Sequence, residues 1–157
     1  MISPTAGRPS TRRSGPLNRQ IRQLVTRAAP ELVALFGVGV ELAGQFLMTA
    51  GDNTERLRNE SAFAKLCGVA PQPASSGRTT GRHRLSRSGD RAANSALYLV
   101  TIVRIRHHEP TRAYVERRTA EGLTKREIIR CLKRYISREV FAALPHEARP
   151  TALPATA

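Results

Sequence analysis

The sequence predicts an all-α fold: a compact domain of about six helices with one long basic loop and disordered termini. Apolar residues recur at helical spacing through most of the chain, as at Leu17, Ile21, Leu24 and Val25. No run of residues alternates convincingly between apolar and polar, as a half-buried strand would. A chain of 157 residues is long enough for one domain with a real core and too short for two comfortable ones.

The two ends of the chain differ in composition from its middle. Residues 1–16 combine Ser, Thr, Pro, Gly and Arg with almost nothing apolar, and residues 145–157 are rich in Pro, Ala and Thr. Such segments bury too little apolar surface to fold, so we predict a disordered basic tail, a helical domain over residues 17–144 and a second disordered tail. The chain has no apolar run of membrane-spanning length and no secretory signal, so we expect a cytoplasmic protein without a membrane partner.

Caps and helix-breaking residues set the boundaries of the predicted elements. Asp90 is a plausible N-cap for a long helix, which Pro110 is expected to end, and Thr111 is expected to cap the next one. Thr124 and Glu127 form a capping-box pattern ahead of the last helix. The predicted helical segments are residues 17–28, 30–36, 40–51, 61–67, 91–108, 111–121 and 124–144.

The last predicted helix carries an apolar stripe and a set of cations. The stripe consists of Ile128, Leu132, Ile136 and Val140. The cations are expected to face outward, and they are Arg126, Arg130, Lys133, Arg134 and Arg138.

The charge balance points to a polyanionic partner. There are 26 basic and 12 acidic residues, which gives a formal net charge of +14 and a pI near 11.5. Lysine supplies only three of the cations, and the planar fork of arginine pairs bidentately with phosphate. Codon bias in a GC-rich genome explains part of the preference for arginine over lysine, but it does not explain the net charge. Nucleic acid is the leading candidate partner.

The sequence offers no metal or cofactor site. Cys67 and Cys131 form neither a CxxC pair nor a metal set with nearby histidines, so we expect buried free thiols. Metal-dependent phosphoryl transfer needs several converging carboxylates. The only aspartates are Asp52 and Asp90, and the glutamates are dispersed. We expect no cofactor to be bound by this chain.

A glycine turn between two predicted helices is a first candidate phosphate contact. The segment LFGVGVELAGQFL, from Leu35 to Leu47, is similar to a helix-hairpin-helix element. Gly37 and Gly39 would let backbone amides approach a DNA phosphate at a helix N-terminus. A plain glycine turn between two packed helices gives the same pattern.

The segment from Ser75 to Ser88, SSGRTTGRHRLSRS, is the stronger candidate because it contains four arginines and no acidic residue. Its Ser76-Gly77 step could place a hydroxyl beside a phosphate that guanidinium groups neutralise. Most serines beside glycine are nevertheless turn residues. His83 could act as a base or as another phosphate contact. The candidate contacts in and beside this basic loop are Gly77, Arg78, Arg82, His83, Arg84, Arg87 and Arg91.

From Leu35 to Leu144 the chain closely resembles the C-terminal transposase domain of the insertion-sequence one-ten and one-sixteen family. These are DEDD transposases related to the Piv invertase and guided by a bridge RNA. The resemblance rests on four ordered motifs: FGVGVELAG, SAFAKLCGVAP, PASSGRTTGRHRLSRSGDRAANSALY and RRTAEGLTKREIIRCLKRYISREVF.

The resemblance implies a composite active site for DNA transposition and recombination. In the family this domain supplies a serine that links covalently to DNA, a role that falls on Ser76, or on Ser75 if the register is one residue off. Arg78, Arg82, Arg84 and Arg87 would hold the scissile phosphate or its flanking backbone. A RuvC-like domain supplies acidic Mg²⁺ ligands, and these 157 residues lack it. We therefore expect no DNA cleavage by this chain alone.

The implied partners are DNA, a bridge RNA and a RuvC-like domain or full-length transposase, in a homo-oligomeric complex at the prokaryotic nucleoid. Ser95 departs from the family pattern, which has a basic or bulky side chain at that position, and it could weaken a backbone contact. The alternatives are a nucleic-acid-binding module without chemistry, a transposase remnant, or a generic helical interaction protein.

Overall fold

The computed structural model describes residues 15–51, 57–73, 83–85 and 89–145. These residues form seven helices and one short antiparallel ribbon, so the predicted all-α class is confirmed. The predicted disordered tails fall almost wholly outside the described residues. In chain order the elements are α1 (Gly15–Ala28), α2 (Pro30–Ala34), α3 (Val40–Gly51), α4 (Glu60–Leu66), β1 (Pro71–Pro73), β2 (His83–Leu85), α5 (Arg91–His107), α6 (Glu109–Ala120) and α7 (Lys125–Ala143).

The hydrophobic core lies where α5 packs against α3 and α7. Phe46 of α3, Leu97 of α5 and Val140 of α7 are fully buried there. Phe63 of α4 is also fully buried, and its ring lies 5.8 Å from that of Phe141. Because α4 packs against α7 and α6 packs against α5, the two longest helices hold the other elements together.

The predicted N-caps of α5 and α7 are confirmed. An oxygen of Asp90 accepts hydrogen bonds from the amides of Ala92 at 2.8 Å and Ala93 at 3.2 Å. Thr124 and Glu127 form both reciprocal bonds of a capping box. Both caps depend only on residues within one turn of the helix start.

The start of α6 differs from the prediction. The helix begins at Glu109 with His108 as its N-cap residue, so the prediction that Thr111 caps it is wrong. Pro110 ends no helix but lies in the first turn of α6, where a missing backbone N–H costs nothing. The Thr111 hydroxyl instead hydrogen-bonds the His108 Nδ1 at 2.8 Å and helps to fix the short connection from α5.

In α7 the predicted apolar stripe is confirmed, but the position of one cation is not. The buried stripe consists of Ile128, Leu132, Ile136 and Val140. The prediction that Lys133 faces outward is wrong, because only 8% of it is exposed. Its flexible stem reaches an acceptor on Asn94 of α5, which compensates for part of the cost of burying the ammonium.

The first helix lies on the surface of the domain. Val25 is its only buried residue, while Leu17, Ile21 and Leu24 are exposed. Neither α1 nor any other described helix is long and apolar enough to cross a membrane.

Candidate nucleic-acid interface

A two-stranded ribbon carries the predicted basic loop. β1 and β2 pair antiparallel, with Pro73 opposite His83 and Pro71 opposite Leu85. The prediction of helices and loop alone missed this ribbon, because each strand has only three residues and the chain between them is long. The ribbon thus pairs Pro73 with His83, the described residues on either side of positions 74–82.

The predicted site residues divide into three groups. His83 and Arg84 belong to β2, and Arg91 is the exposed first residue of α5. Gly37 and Gly39 lie in the turn before α3. The remaining predicted residues lie outside the described part of the chain, and they are Ser75, Ser76, Gly77, Arg78, Arg82 and Arg87.

Two glycines bring the residue that follows the basic loop against the turn that follows α4. A Cβ on Gly89 would lie 2.6 Å from the nitrogen and 2.8 Å from the Cα of Gly68, and 2.8 Å from the carbonyl oxygen of Leu66. The amide of Asp90 donates to that same oxygen at 2.6 Å. Only glycine permits this approach of two backbones. The chain therefore leaves α4 and enters α5 at one closely packed point. We call this point, where Leu66, Gly68, Gly89 and Asp90 meet, the loop base.

Asp90 connects this point to α3. One carboxylate oxygen caps α5, and the other accepts a hydrogen bond from the Thr49 hydroxyl at 2.7 Å. Burial raises the pKa of Asp90, but the bonds from Thr49, Ala93 and Ala92 outweigh it and hold the pKa below its usual value. Because both oxygens are engaged, Asp90 serves the structure of the loop base.

Asn94 and Lys133 form a second polar layer beneath the loop base. The Asn94 amide donates to the carbonyls of Cys67 at 2.9 Å and Gly68 at 3.2 Å, and its oxygen accepts from the Lys133 ammonium at 2.6 Å. Burial lowers the pKa of Lys133. This chain of bonds ties α7 to the turn from which β1 departs, and sequence patterns within one element give no sign of it.

Cys67 lies in the same turn as a buried free thiol, as predicted, whereas the free thiol Cys131 is only partly buried. Burial, and then the negative charge of Asp90, raises the pKa of Cys67 to about 12. The thiol is therefore protonated at neutral pH and unsuited to nucleophilic chemistry. Among the described residues, no group of three or more His, Cys, Asp or Glu side chains could hold a metal ion.

The glycine turn before α3 gives its two glycines different surroundings. Gly37 has a positive φ of 81°, and a Cβ there would lie 3.4 Å from Val103. Gly39 is exposed and opens α3, and a Cβ there would meet no atom within 4 Å. Gly37 therefore serves the packing on α5, while Gly39 is exposed and has open space where a side chain would stand.

A buried arginine fixes this turn. Arg104 of α5 is 5% exposed, donates from Nε to the Phe36 carbonyl at 2.9 Å and pairs with Glu139 of α7 at 2.7 Å. Such an arginine can be buried because both its charge and its hydrogen-bond donors have partners. The turn that contains Phe36 and Gly39 is thus held by Arg104 of α5, which Glu139 of α7 holds in place.

A second basic surface, which the site prediction missed, lies along α7. A groove of about 1040 Å³ runs between α7, the end of α6 and the first residue of β1, and we call it the α7 groove. Its cations are Arg118, Lys125, Arg126, Arg130, Arg134 and Arg138, and Tyr135 also lines it. The four-residue spacing of arginines from Arg126 to Arg138 was a signal that could have revealed it.

Comparison with known proteins gives consistent matches. The sequence model of the family described as "Transposase IS116/IS110/IS902 family" matches residues 29–116. The chain is 30% identical over 122 residues to the "Insertion element IS900 uncharacterized 42 kDa protein" of Mycobacterium paratuberculosis, covering 78% of this chain and 31% of that protein. It is also 30% identical over 116 residues to the "Insertion element IS110 uncharacterized 43.6 kDa protein" of Streptomyces coelicolor, covering 74% of this chain and 28% of that protein. The chain thus spans less than a third of the length of these relatives.

Proposed function

Because the chain belongs to the IS116/IS110/IS902 transposase family, we propose that it binds DNA and supplies a serine for strand exchange in transposition. The observation that carries this proposal is the closely packed base beneath the basic loop. Gly89 packs on Gly68, and Asp90 binds both α3 and the end of α4. A loop that positions a nucleophile needs such fixed ends, because small misplacements of reacting atoms slow a reaction strongly.

In the proposed reaction, the Ser76 hydroxyl attacks the phosphorus of a scissile phosphodiester. A bond forms between Oγ and phosphorus as the hydroxyl loses its proton, and the bond to a deoxyribose oxygen breaks as that oxygen gains one. Ser75 takes this role if the register is shifted by one residue. The loop arginines at positions 78, 82, 84 and 87 neutralise the charge that builds up on the phosphate oxygens.

Contacts other than the loop arginines position the DNA backbone in this proposal. Arg91 is exposed at the N-terminus of α5, directly beyond the loop base. His83 lies in β2 and Gly39 at the open start of α3. Amides and cations at such positions suit phosphate oxygens without reading base sequence.

We place the Mg²⁺ of the reaction in a RuvC-like domain, present in a longer polypeptide or a partner subunit. The described acidic residues do not converge into a group that could hold a metal. Asp90 caps α5, and Glu60 is paired with two arginines of α7. A bridge RNA and further transposase subunits complete the proposed complex.

A nucleic-acid-binding module without chemistry is the second candidate. The net charge of +14 supports it without requiring any reactive serine. This candidate predicts salt-dependent binding to DNA and no covalent adduct under any condition.

The deciding experiment mixes the protein with the RuvC-like half of a related transposase, Mg²⁺, a matching guide RNA and labelled element-end DNA. We expect an adduct between protein and DNA that survives denaturant. Ser76→Ala should abolish the adduct and leave DNA affinity unchanged, while Ser75→Ala tests the alternative register. Ser61→Ala, an exposed serine of α4, is the matched control and should still form the adduct.

The intact parent enzyme of the RuvC-like half serves as the positive control. If the parent forms the adduct and this chain never does, the chain is a binding module. Equal loss of adduct and affinity in Ser76→Ala would assign that serine to DNA binding instead of chemistry.

A further inference from the structure

The α7 groove combines cations and aromatic rings in a way that the proposed serine chemistry does not use. Arg126, Arg130, Arg134 and Arg138 follow one another at four-residue spacing along α7. This spacing keeps them on neighbouring positions of the helix surface, with a rise of about 6 Å from one arginine to the next. A rise of this size is comparable to the separation of consecutive phosphates along a nucleic-acid strand.

The charges of this row are only partly neutralised inside the protein. Glu60 of α4 accepts from Arg134 at 2.5 Å and from Arg138 at 3.1 Å. Among the described residues, no ion pair involves Arg126 or Arg130, and both are exposed. Like charges four residues apart destabilise a helix. Glu127 also lines this half of the groove, and its carboxylate accepts hydrogen bonds from the Thr124 amide and hydroxyl. Because Lys125, Arg126 and Arg130 outnumber it there, the N-terminal half of the groove favours a bound anion.

Two of the three tyrosines of the chain lie beside arginines that line the groove. The rings of Tyr114 and Tyr135 meet edge to face with their centres 5.9 Å apart. The guanidinium of Arg138 lies 5.7 Å from the centre of the Tyr135 ring, and that of Arg118 lies 5.9 Å from the centre of the Tyr114 ring. Tyr135 is still 48% exposed, so it can offer ring surface to a ligand.

An unsatisfied donor provides an independent sign of a ligand. The Nε of Arg118, which lines the groove, is buried and has no hydrogen-bond partner, although Nη1 of the same side chain pairs with Glu121. A buried N–H without an acceptor is costly and rare in folded proteins. Because the Arg118 side chain as a whole is partly exposed, its rotation toward a phosphate oxygen in the groove would give this donor an acceptor.

We propose that the α7 groove binds single-stranded nucleic acid, with phosphates on Arg126 and Arg130 and an unpaired base stacked on Tyr135. Cations that follow the backbone beside an aromatic ring are typical of single-strand binding. A duplex could use the cations, but its paired bases are not free to stack on Tyr135. Pro71 at the start of β1 also lines the groove, so the strand passes beside the base of the loop.

This inference rests on the proposed function only for the source of the bound strand, which is either element DNA or the guide RNA. The test measures binding of the complete chain to labelled single-stranded DNA, single-stranded RNA and duplex DNA at several salt concentrations, by fluorescence anisotropy. The groove variants keep Ser76, so the groove proposal is tested by oligonucleotide affinity and the serine proposal by adduct formation. Either proposal can therefore fail without the other.

The charge test uses the double variant Arg126→Ala, Arg130→Ala. Loss of two phosphate contacts should reduce the slope of log affinity against log salt by about 1.4 for a single strand. The matched control is Arg106→Ala, Arg112→Ala, which removes the same charge from exposed positions that do not line the groove. Equal weakening by the two double variants would overturn the proposal.

The stacking test compares Tyr135→Ala with Tyr135→Phe. Loss of one stacked base should lower single-strand affinity by roughly 5- to 150-fold in the alanine variant and leave the salt slope unchanged. Phenylalanine retains the stacking surface and should preserve the affinity. Duplex affinity should be unchanged in both variants. A parallel loss of duplex and single-strand binding, or no loss at all, would refute base stacking in the groove.

The comparison of strand types identifies the source of the ligand. Tighter binding of RNA in the groove assigns it to the guide, and tighter binding of DNA assigns it to a separated element strand. In either case the preference should disappear in Tyr135→Ala or in the double arginine variant. A preference that survives both changes would place single-strand binding elsewhere and contradict the proposal.

Discussion

Gly89 should tolerate no side chain, and Gly89→Ala tests the packing beneath the loop directly. An alanine Cβ would lie 2.6 Å from the Gly68 nitrogen, against the 3.4 Å at which ordinary packing begins. The two backbones must therefore separate by about 0.8 Å. Because all three close atoms belong to the backbone of Leu66 and Gly68, no side-chain rotation can relieve the contact.

The magnitude follows from three effects. Overpacking of this kind costs about 1–3 kcal/mol. The hydrogen bond from the Asp90 amide to Leu66, now 2.6 Å long, would lengthen with the separation, at a cost of about 1 kcal/mol. Alanine also restricts the unfolded chain, which returns about 0.4–1 kcal/mol. We expect a net loss of about 1–3 kcal/mol, or a fall in Tm of about 2–12 °C.

The assay is thermal unfolding followed by far-ultraviolet circular dichroism, which reports the helices. Gly44→Ala is the matched control, because Gly44 lies inside α3 and its new Cβ would meet only a methyl of Val25, at an ordinary 3.5 Å. Replacing a helix-interior glycine should stabilise the protein by about 0.5–1 kcal/mol. If Gly89→Ala unfolds at or above the parent temperature, the close packing of Gly89 on Gly68 is refuted.

Three further predictions concern the caps and the buried lysine. Hydrogen bonds hold the pKa of Asp90 low, so its contribution to the free energy of unfolding is complete above about pH 4 and is lost as the pH falls through the folded pKa. In urea unfolding, Asp90→Asn should therefore be less stable than the parent at pH 7 and should lose less stability in acid. Thr124→Ala should cost about 1 kcal/mol in the same assay, and an unchanged midpoint would contradict the capping role. Burial lowers the pKa of Lys133 in the folded protein. Between that folded pKa and 10.5 the unfolded chain binds more protons than the folded one, so the stability of the parent should rise with pH over this range. Lys133→Met should lack this gain, and an identical pH profile would contradict the burial argument.

The local part of the fold was predictable because its causes lie within single elements. The cap of α5 by Asp90 and the box of Thr124 with Glu127 involve residues at most three positions apart. The apolar stripe of α7 follows from helical periodicity alone. The start of α6 was mispredicted because Pro110 has two roles, as a helix breaker in the interior and as a favoured residue in a first turn.

The remaining features depend on contacts between distant positions. Lys133 is buried because Asn94, 39 residues away, offers it an acceptor, and Arg104 is buried because Phe36 and Glu139 satisfy it. The β1–β2 ribbon likewise closes a long segment with only three residues in each strand. A residue's own type and spacing predict exposure for such cations, so only the folded arrangement identifies their partners.

Buried cations and exposed cations serve different purposes in this basic protein. Lys133 is buried with a hydrogen bond to Asn94 and helps to fix the turn from which β1 departs. Arg104 is buried between the Phe36 carbonyl and Glu139 and fixes the turn from which α3 departs. Arg126 and Arg130 are exposed without a described ion-pair partner, so a bound anion would relieve their repulsion. Pro71 lies where the α7 groove meets the ribbon. A strand bound in the groove would therefore lie beside the structure that carries the candidate serine, which links the two proposals physically while leaving each with its own test.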